Sequence, residues 1–218
     1  PKIGVKMKKL IKVMVFVSVI SSVIIAPSVS AADLNLKQQI KPNHINIYQD
    51  DEKPGHVLDG TPLITAPKVR MSDVLLTNQD VQSAGTYGKA GSRIIVDNPG
   101  VTNNWSLTLS MKSSNDVWKS ADNHTFEANG DPSTGVMTID ASGSMLTNIT
   151  GSVSGTIIFG SPVTFNKTNY AVDIARYSGA TNQFWRGAIT GIQIKQYVPK
   201  KTPAGTYKIN LVQTLTSI

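Results

Sequence analysis

Residues 105–112 alternate without a break: Trp105, Leu107, Leu109 and Met111 fall on one side, Ser106, Thr108, Ser110 and Lys112 on the other. This period of two is that of a strand buried on one face. In a helix the same apolar residues would fall on opposite sides of the axis and make no single buried stripe. Short apolar or alternating runs recur at 93–96, 136–139, 156–159, 171–175, 189–197 and 207–215. Between them stand Asp97-Asn98-Pro99-Gly100, Asn129-Gly130-Asp131-Pro132, Ser142-Gly143, Ser161-Pro162 and Pro203-Ala204-Gly205. Glycine admits positive φ and proline fixes φ, so these clusters read as turns. The expected fold is all-β, an antiparallel β-sandwich or barrel-like domain with at most short helices, and residues 71–76 are the expected place for one.

In the last run, Tyr207, Ile209, Leu211, Gln213 and Leu215 share a face, against Lys208, Asn210, Val212, Thr214 and Thr216. Gln213 interrupts an apolar stripe. It must find hydrogen-bond partners or sit at the rim, because an unpaired buried amide costs about 1–3 kcal/mol.

The front of the chain has a different texture. Lys8-Lys9-Leu10-Ile11-Lys12 precedes an apolar run over 13–26, then Pro27 and the small residues Ser28-Val29-Ser30-Ala31-Ala32. That order of basic, apolar and small residues is the secretory signal pattern, with cleavage expected after Ala31 or one residue later. The apolar run falls short of the roughly 20 residues that span a bilayer, so no membrane insertion is expected after cleavage. Met7 reads as the natural start, which leaves 1–6 as upstream extra residues. The expected organisation is therefore a signal peptide over 1–31, a polar arm or linker over 32–60, and a β domain over 61–218. Within the arm, Ile45-Asn46-Ile47-Tyr48 has the character of a strand able to lie along a neighbour's edge.

The net charge of +7 suggests a nucleic-acid binder until its placement is considered. Lys2, Lys6, Lys8, Lys9 and Lys12 all precede residue 32 with no acid among them, leaving 16 basic against 14 acidic groups in the remainder. That balance lacks the electrostatic footprint of a phosphate-backbone binder, so no nucleic acid is expected as partner. The absence of cysteine excludes disulfides, thiolate metal sites and a lipidated cysteine. His44, His56 and His124 lie too far apart in sequence to form a close pair, and no metal or cofactor is expected. Asp97, Asp116, Glu127, Asp131, Asp140 and Asp173 sit in no catalytic motif. Gly151-Ser152-Val153-Ser154-Gly155 lacks the central serine of a nucleophile elbow. Asp131 to Gly135 followed by Asp140 misses the ligand spacing of an EF-hand. The chain reads as a non-enzyme.

The stretch Ile95-Val96-Asp97-Asn98-Pro99-Gly100-Val101-Thr102-Asn103-Asn104-Trp105-Ser106-Leu107-Thr108 resembles the first signature of the WxL domain of Gram-positive cell-surface proteins. The closing stretch, Pro203-Ala204-Gly205-Thr206-Tyr207-Lys208-Ile209-Asn210-Leu211-Val212-Gln213-Thr214-Leu215-Thr216, is similar to the second. The resemblance spans about residues 69–218. Gln213 departs from it by standing at the second tryptophan position, and Pro99 stands where many relatives are expected to carry a basic residue.

The resemblance implies a secreted, non-catalytic module that attaches non-covalently to the peptidoglycan of the cell wall. It also implies association with a companion membrane-anchored surface protein. Candidate ligand-binding residues are then Trp105, Leu107, Asn103, Asn104 and Trp185, with Gln213 and Leu215 marking the second motif. Tryptophan stacks on sugar faces, and Asn, Ser and Thr bond glycan hydroxyls and peptide amides. Against that stands a core role, which tryptophan in such a setting takes more often, since the face of Trp105 is shared with three apolar residues. Trp185, between Phe184 and Arg186, has the same two readings, while Trp118 beside Lys119 is expected to be the most exposed of the three. The alternative function is a structural or adhesive subunit that assembles by strand addition without direct glycan binding.

Overall fold

The computed structural model describes residues 29–33, 46–50, 69–75, 78–89, 93–99, 104–180 and 184–217, the first two segments as backbone. The strands in chain order begin with β1 Val29–Asp33, β2 Asn46–Asp50, β3 Val81–Tyr87, β4 Arg93–Pro99, β5 Asn104–Met111, β6 Val117–Ser120, β7 Thr125–Glu127 and β8 Val136–Asp140. They continue with β9 Met145–Thr150, β10 Gly155–Phe159, β11 Val163–Thr164, β12 Ala171–Gly179, β13 Phe184–Thr190, β14 Ile192–Val198, β15 Tyr207–Lys208 and β16 Leu211–Ser217. Every pairing is antiparallel, and the described residues contain no helix. The fold is an all-β, sandwich-like stack of sheets.

The largest sheet runs β1-β16-β5-β12-β10. Two four-stranded sheets run β11-β8-β14-β3 and β2-β4-β13-β9, and a small one runs β15-β6-β7. One apolar core joins the three larger sheets: Trp105, Leu107, Leu109 and Met111 meet Met137 and Ile139 of β8, Ile192 and Ile194 of β14, and Ile94 and Val96 of β4. The alternation of β5 places each of its apolar side chains in this core and leaves Ser106, Thr108 and Ser110 half-buried on the other face.

Three irregularities mark where the strands depart from expectation. The expected run over 189–197 is two strands in two sheets, divided at Gly191, whose φ of +93° turns the chain from β13 into β14. Strands that change sheet at such a corner are how stacked sheets are joined. The expected run over 207–215 also divides: Tyr207 and Lys208 pair with β6, and only Leu211 onward joins β5. A bulge in β12 between Asp173 and Ala175 adds one residue, after which Ala175 and Tyr177 return to the core face opposite Leu107 and Trp105.

The short helix expected near 71–76 is absent from 71–75, the described part of that stretch. Ser72 instead lies along β3, its N–H donating to the Ala84 carbonyl at 2.6 Å and its hydroxyl accepting from the Ala84 N–H at 3.0 Å. The first bond engages the Ser72 N–H, and the Ser72 carbonyl accepts from the Ser83 hydroxyl at 2.6 Å, so both backbone groups that a helix would use are taken. Part of the expected polar arm is a strand, since β2 pairs with β4 over Asn46 to Asp50, so the Ile47–Tyr48 stretch lies on an edge of its own chain. The expected signal segment lies outside the described residues up to residue 28, and Val29 to Asp33 pair with β16 across the expected cleavage point.

Candidate functional site

The two stretches that carry the family resemblance meet in the largest sheet. β5 and β16 are direct neighbours, with Leu107 opposite Leu215, Leu109 opposite Gln213 and Ser106 opposite Thr216. The first motif positions point inward. Trp105 is 0% exposed and Leu107 1%, while Leu215 is 8% exposed at the end of the same inner face. Trp105 stacks on Tyr177 of β12 at 5.6 Å between ring centroids and 23° between planes. Trp185 of β13, 2% exposed, closes the group at 6.2 Å from Trp105 and 5.3 Å from Tyr177. The Tyr177 hydroxyl donates to the Ser154 carbonyl at 2.8 Å, whereas neither indole N–H finds an acceptor among the described residues. The two tryptophans therefore offer their ring faces to each other and to Tyr177, and no face is presented to solvent.

Gln213 resolves its own difficulty inside the core. It is 7% exposed, and its Oε1 accepts a hydrogen bond from the Tyr87 hydroxyl of β3 in the opposing sheet. The phenol is buried, and desolvation of its charged form raises its pKa well above the ordinary tyrosine value. Asn104 begins β5 opposite Ser178, half-buried, and Asn103 lies outside the described residues. Phe184 is exposed, and Arg186 pairs with Asp97 directly across β4 and β13 at 2.8 Å. Trp118 is the least buried tryptophan, stacked on Phe126 with its indole N–H on Gln196 Oε1 at 2.8 Å.

The outer face of the same sheet carries rows of polar side chains, flanked by Val212 on β16 and the exposed Ile158 on β10. Asp173, Thr108 and Thr214 lie in register across β12, β5 and β16, and Arg176, Ser106 and Thr216 form the row beside them. Asp173 and Arg176 form an ion pair at the margin of this face. Hydroxyls here are held on strands, so their spacing is set by the sheet and little side-chain freedom is lost on contact.

Several of the carboxylates named from the sequence are engaged in local hydrogen bonds. Asp131 accepts from the Ser133 N–H and hydroxyl and from the Thr134 N–H, and these bonds, led by the Ser133 hydroxyl, lower its pKa. Asp140 is lowered in the same way by the hydroxyl and N–H of Ser142. Asp116 bonds the N–H and hydroxyl of Ser113. Glu127 and Asn129 both accept from the Lys167 ammonium, an association that sequence spacing did not reveal. Among the described residues no group of three or more His, Asp or Glu is placed to hold a metal ion.

Tyr87 and Tyr177 were also missed. Tyr87 closes a strand whose other residues, Val81-Gln82-Ser83-Ala84-Gly85-Thr86, are mostly small or polar. Tyr177 lies beyond the bulge, where the alternation of β12 changes phase. Comparison with protein-family models, with curated proteins and with solved structures gives no match to this chain.

Proposed function

We propose that this chain is a secreted, non-catalytic cell-surface protein of the WxL type. It attaches non-covalently to the peptidoglycan of the bacterial cell wall and associates with a companion membrane-anchored surface protein. The observation that carries this reading is the adjacency of β5 and β16. Stretches about one hundred residues apart, singled out together by their resemblance to two paired motifs, lie side by side with Leu107 opposite Leu215. A chance likeness at either end would give no reason for that pairing.

The burial of Trp105 and Trp185 moves the proposed contact from the indoles to the outer face of the sheet they support. Thr108, Thr214, Ser106 and Thr216 offer donors and acceptors to glycan hydroxyls and to the amides of stem peptides. The inner residues then act as a rigid backing that fixes the spacing of the outer ones. Incubating the mature chain with purified peptidoglycan and sedimenting the wall tests the reading. The chain is expected in the pellet, released by soluble wall fragments; a chain that remains wholly in the supernatant overturns it.

A further inference from the structure

Three groups of complementary chemistry converge beside the small sheet. Lys167 Nζ lies 2.8 Å from Glu127 Oε1 and 3.0 Å from Asn129 Oδ1. Asn129 is 1% exposed, and its Nδ2 donates to the Ser114 carbonyl at 2.9 Å, which turns the carbonyl end of the amide toward the amine. The bond from Lys167 is the chief cause of a lowered Glu127 pKa, and Thr134 also bonds this carboxylate. A Cβ at Gly130 would collide with Glu127 Oε2 and with Thr134 Oγ1, so glycine is what lets the carboxylate occupy this place. The amine and the amide come from positions 38 residues apart, and a surface ion pair needs no buried amide.

We propose that Lys167 and Asn129 join covalently as an intramolecular amide, with Glu127 as the proton carrier. The resting pair is ionised, as the lowered Glu127 pKa requires, so the step in which Glu127 takes a proton from the Lys167 ammonium and frees the lone pair on Nζ is uphill and makes the reaction slow. Nζ bonds to Cγ of Asn129, giving a tetrahedral carbon with the charge on Oδ1. The proton left on Nζ passes by way of Glu127 to Nδ2, the Cγ–Nδ2 bond breaks, the carbonyl reforms, and ammonia departs. Ammonia then takes the proton still held by Glu127 and leaves as ammonium. Charge and atoms balance without oxidant, metal or co-reactant. Holding nucleophile and carbonyl in contact supplies the effective concentration that a lysine and a carboxamide lack in free solution, and the side chain of Lys167 is 53% exposed, so the leaving group has a way out.

Loss of ammonia from Asn129 has a second route, cyclisation onto the N–H of Gly130, but that N–H donates to the Gly135 carbonyl at 2.9 Å. The test must therefore detect the branch itself. Cleavage before aspartate places Asn129 in fragment 122–130 and Lys167 in fragment 140–172. Tandem mass spectrometry of the digested full chain should find the two fragments joined, with the mass of their sum less one ammonia. Lys167→Arg should show only the linear fragments, and Glu127→Gln should slow branch formation at least tenfold. Linear fragments alone in the wild type, or ammonia lost from 122–130 with Lys167 free, overturn the proposal. A branch that forms equally fast in a folded Glu127→Gln chain also overturns it.

Discussion

Trp105 and Gln213 occupy equivalent positions in the two resembling stretches and have opposite chemistry, yet both are buried in the same inner face. For Trp105 burial means that truncation empties a core site. Trp105→Ala is expected to lose about 3–5 kcal/mol of stability, read as a shift in the urea midpoint. For Gln213 burial is tolerable only through Tyr87. Tyr87→Phe leaves the glutamine oxygen without its donor and should cost about 1–3 kcal/mol. Adding Gln213→Leu should recover part of that loss, and a double-mutant cycle checks the coupling. The phenol also sets a pH dependence. Below about pH 10 the tyrosine is protonated in both folded and unfolded chains. Above it the unfolded chain gives up the proton while the buried phenol, with its raised pKa, keeps it, so stability falls as pH rises toward the folded value. Alkaline urea titrations should show that fall reduced in Tyr87→Phe.

Strand positions were legible in the sequence where alternation ran unbroken, and β5 is the clearest case because each of its apolar residues faces the core. They were not legible where a single residue changes the phase. Gly191 divides one apparent strand between two sheets, and the bulge after Asp173 hides Tyr177 from a period-two count. Of the candidate site, the sequence marked out the two stretches but neither their pairing as β5 and β16 nor the face that Trp105 takes, because its burial depends on β12 and β13 from elsewhere in the chain. The corner at Gly191 has a measurable cost of substitution. A Cβ there meets only ordinary contacts, so Gly191→Ala should lose about 1–2 kcal/mol from positive φ alone. Gly143→Ala, with no neighbour within 4 Å and no positive φ, should be nearly neutral by the same denaturation assay. At the sheet edge, cleavage after Ala31 would remove Val29, Ser30 and Ala31 from opposite Thr216, Leu215 and Thr214. Amide exchange along that edge of β16 should then be faster in the mature chain than in the full one.

At the scale of the whole molecule, one sheet has two faces with separate tasks: the inner face holds the fold through Trp105, Leu107, Leu109 and Tyr177, and the outer face presents threonine and serine rows. The proposed cross-link between Asn129 and Lys167 would brace a different part of the molecule and leaves this division untouched. The division separates two properties that most substitutions confuse, namely stability and the proposed wall attachment. Thr108→Val with Thr214→Val removes hydroxyls from the outer face while keeping the branched shape that strands favour. The most direct measurement is the affinity of this double variant for purified peptidoglycan, taken beside its urea midpoint. The account predicts binding weakened at least tenfold with the midpoint unchanged; wild-type affinity in the variant would contradict it.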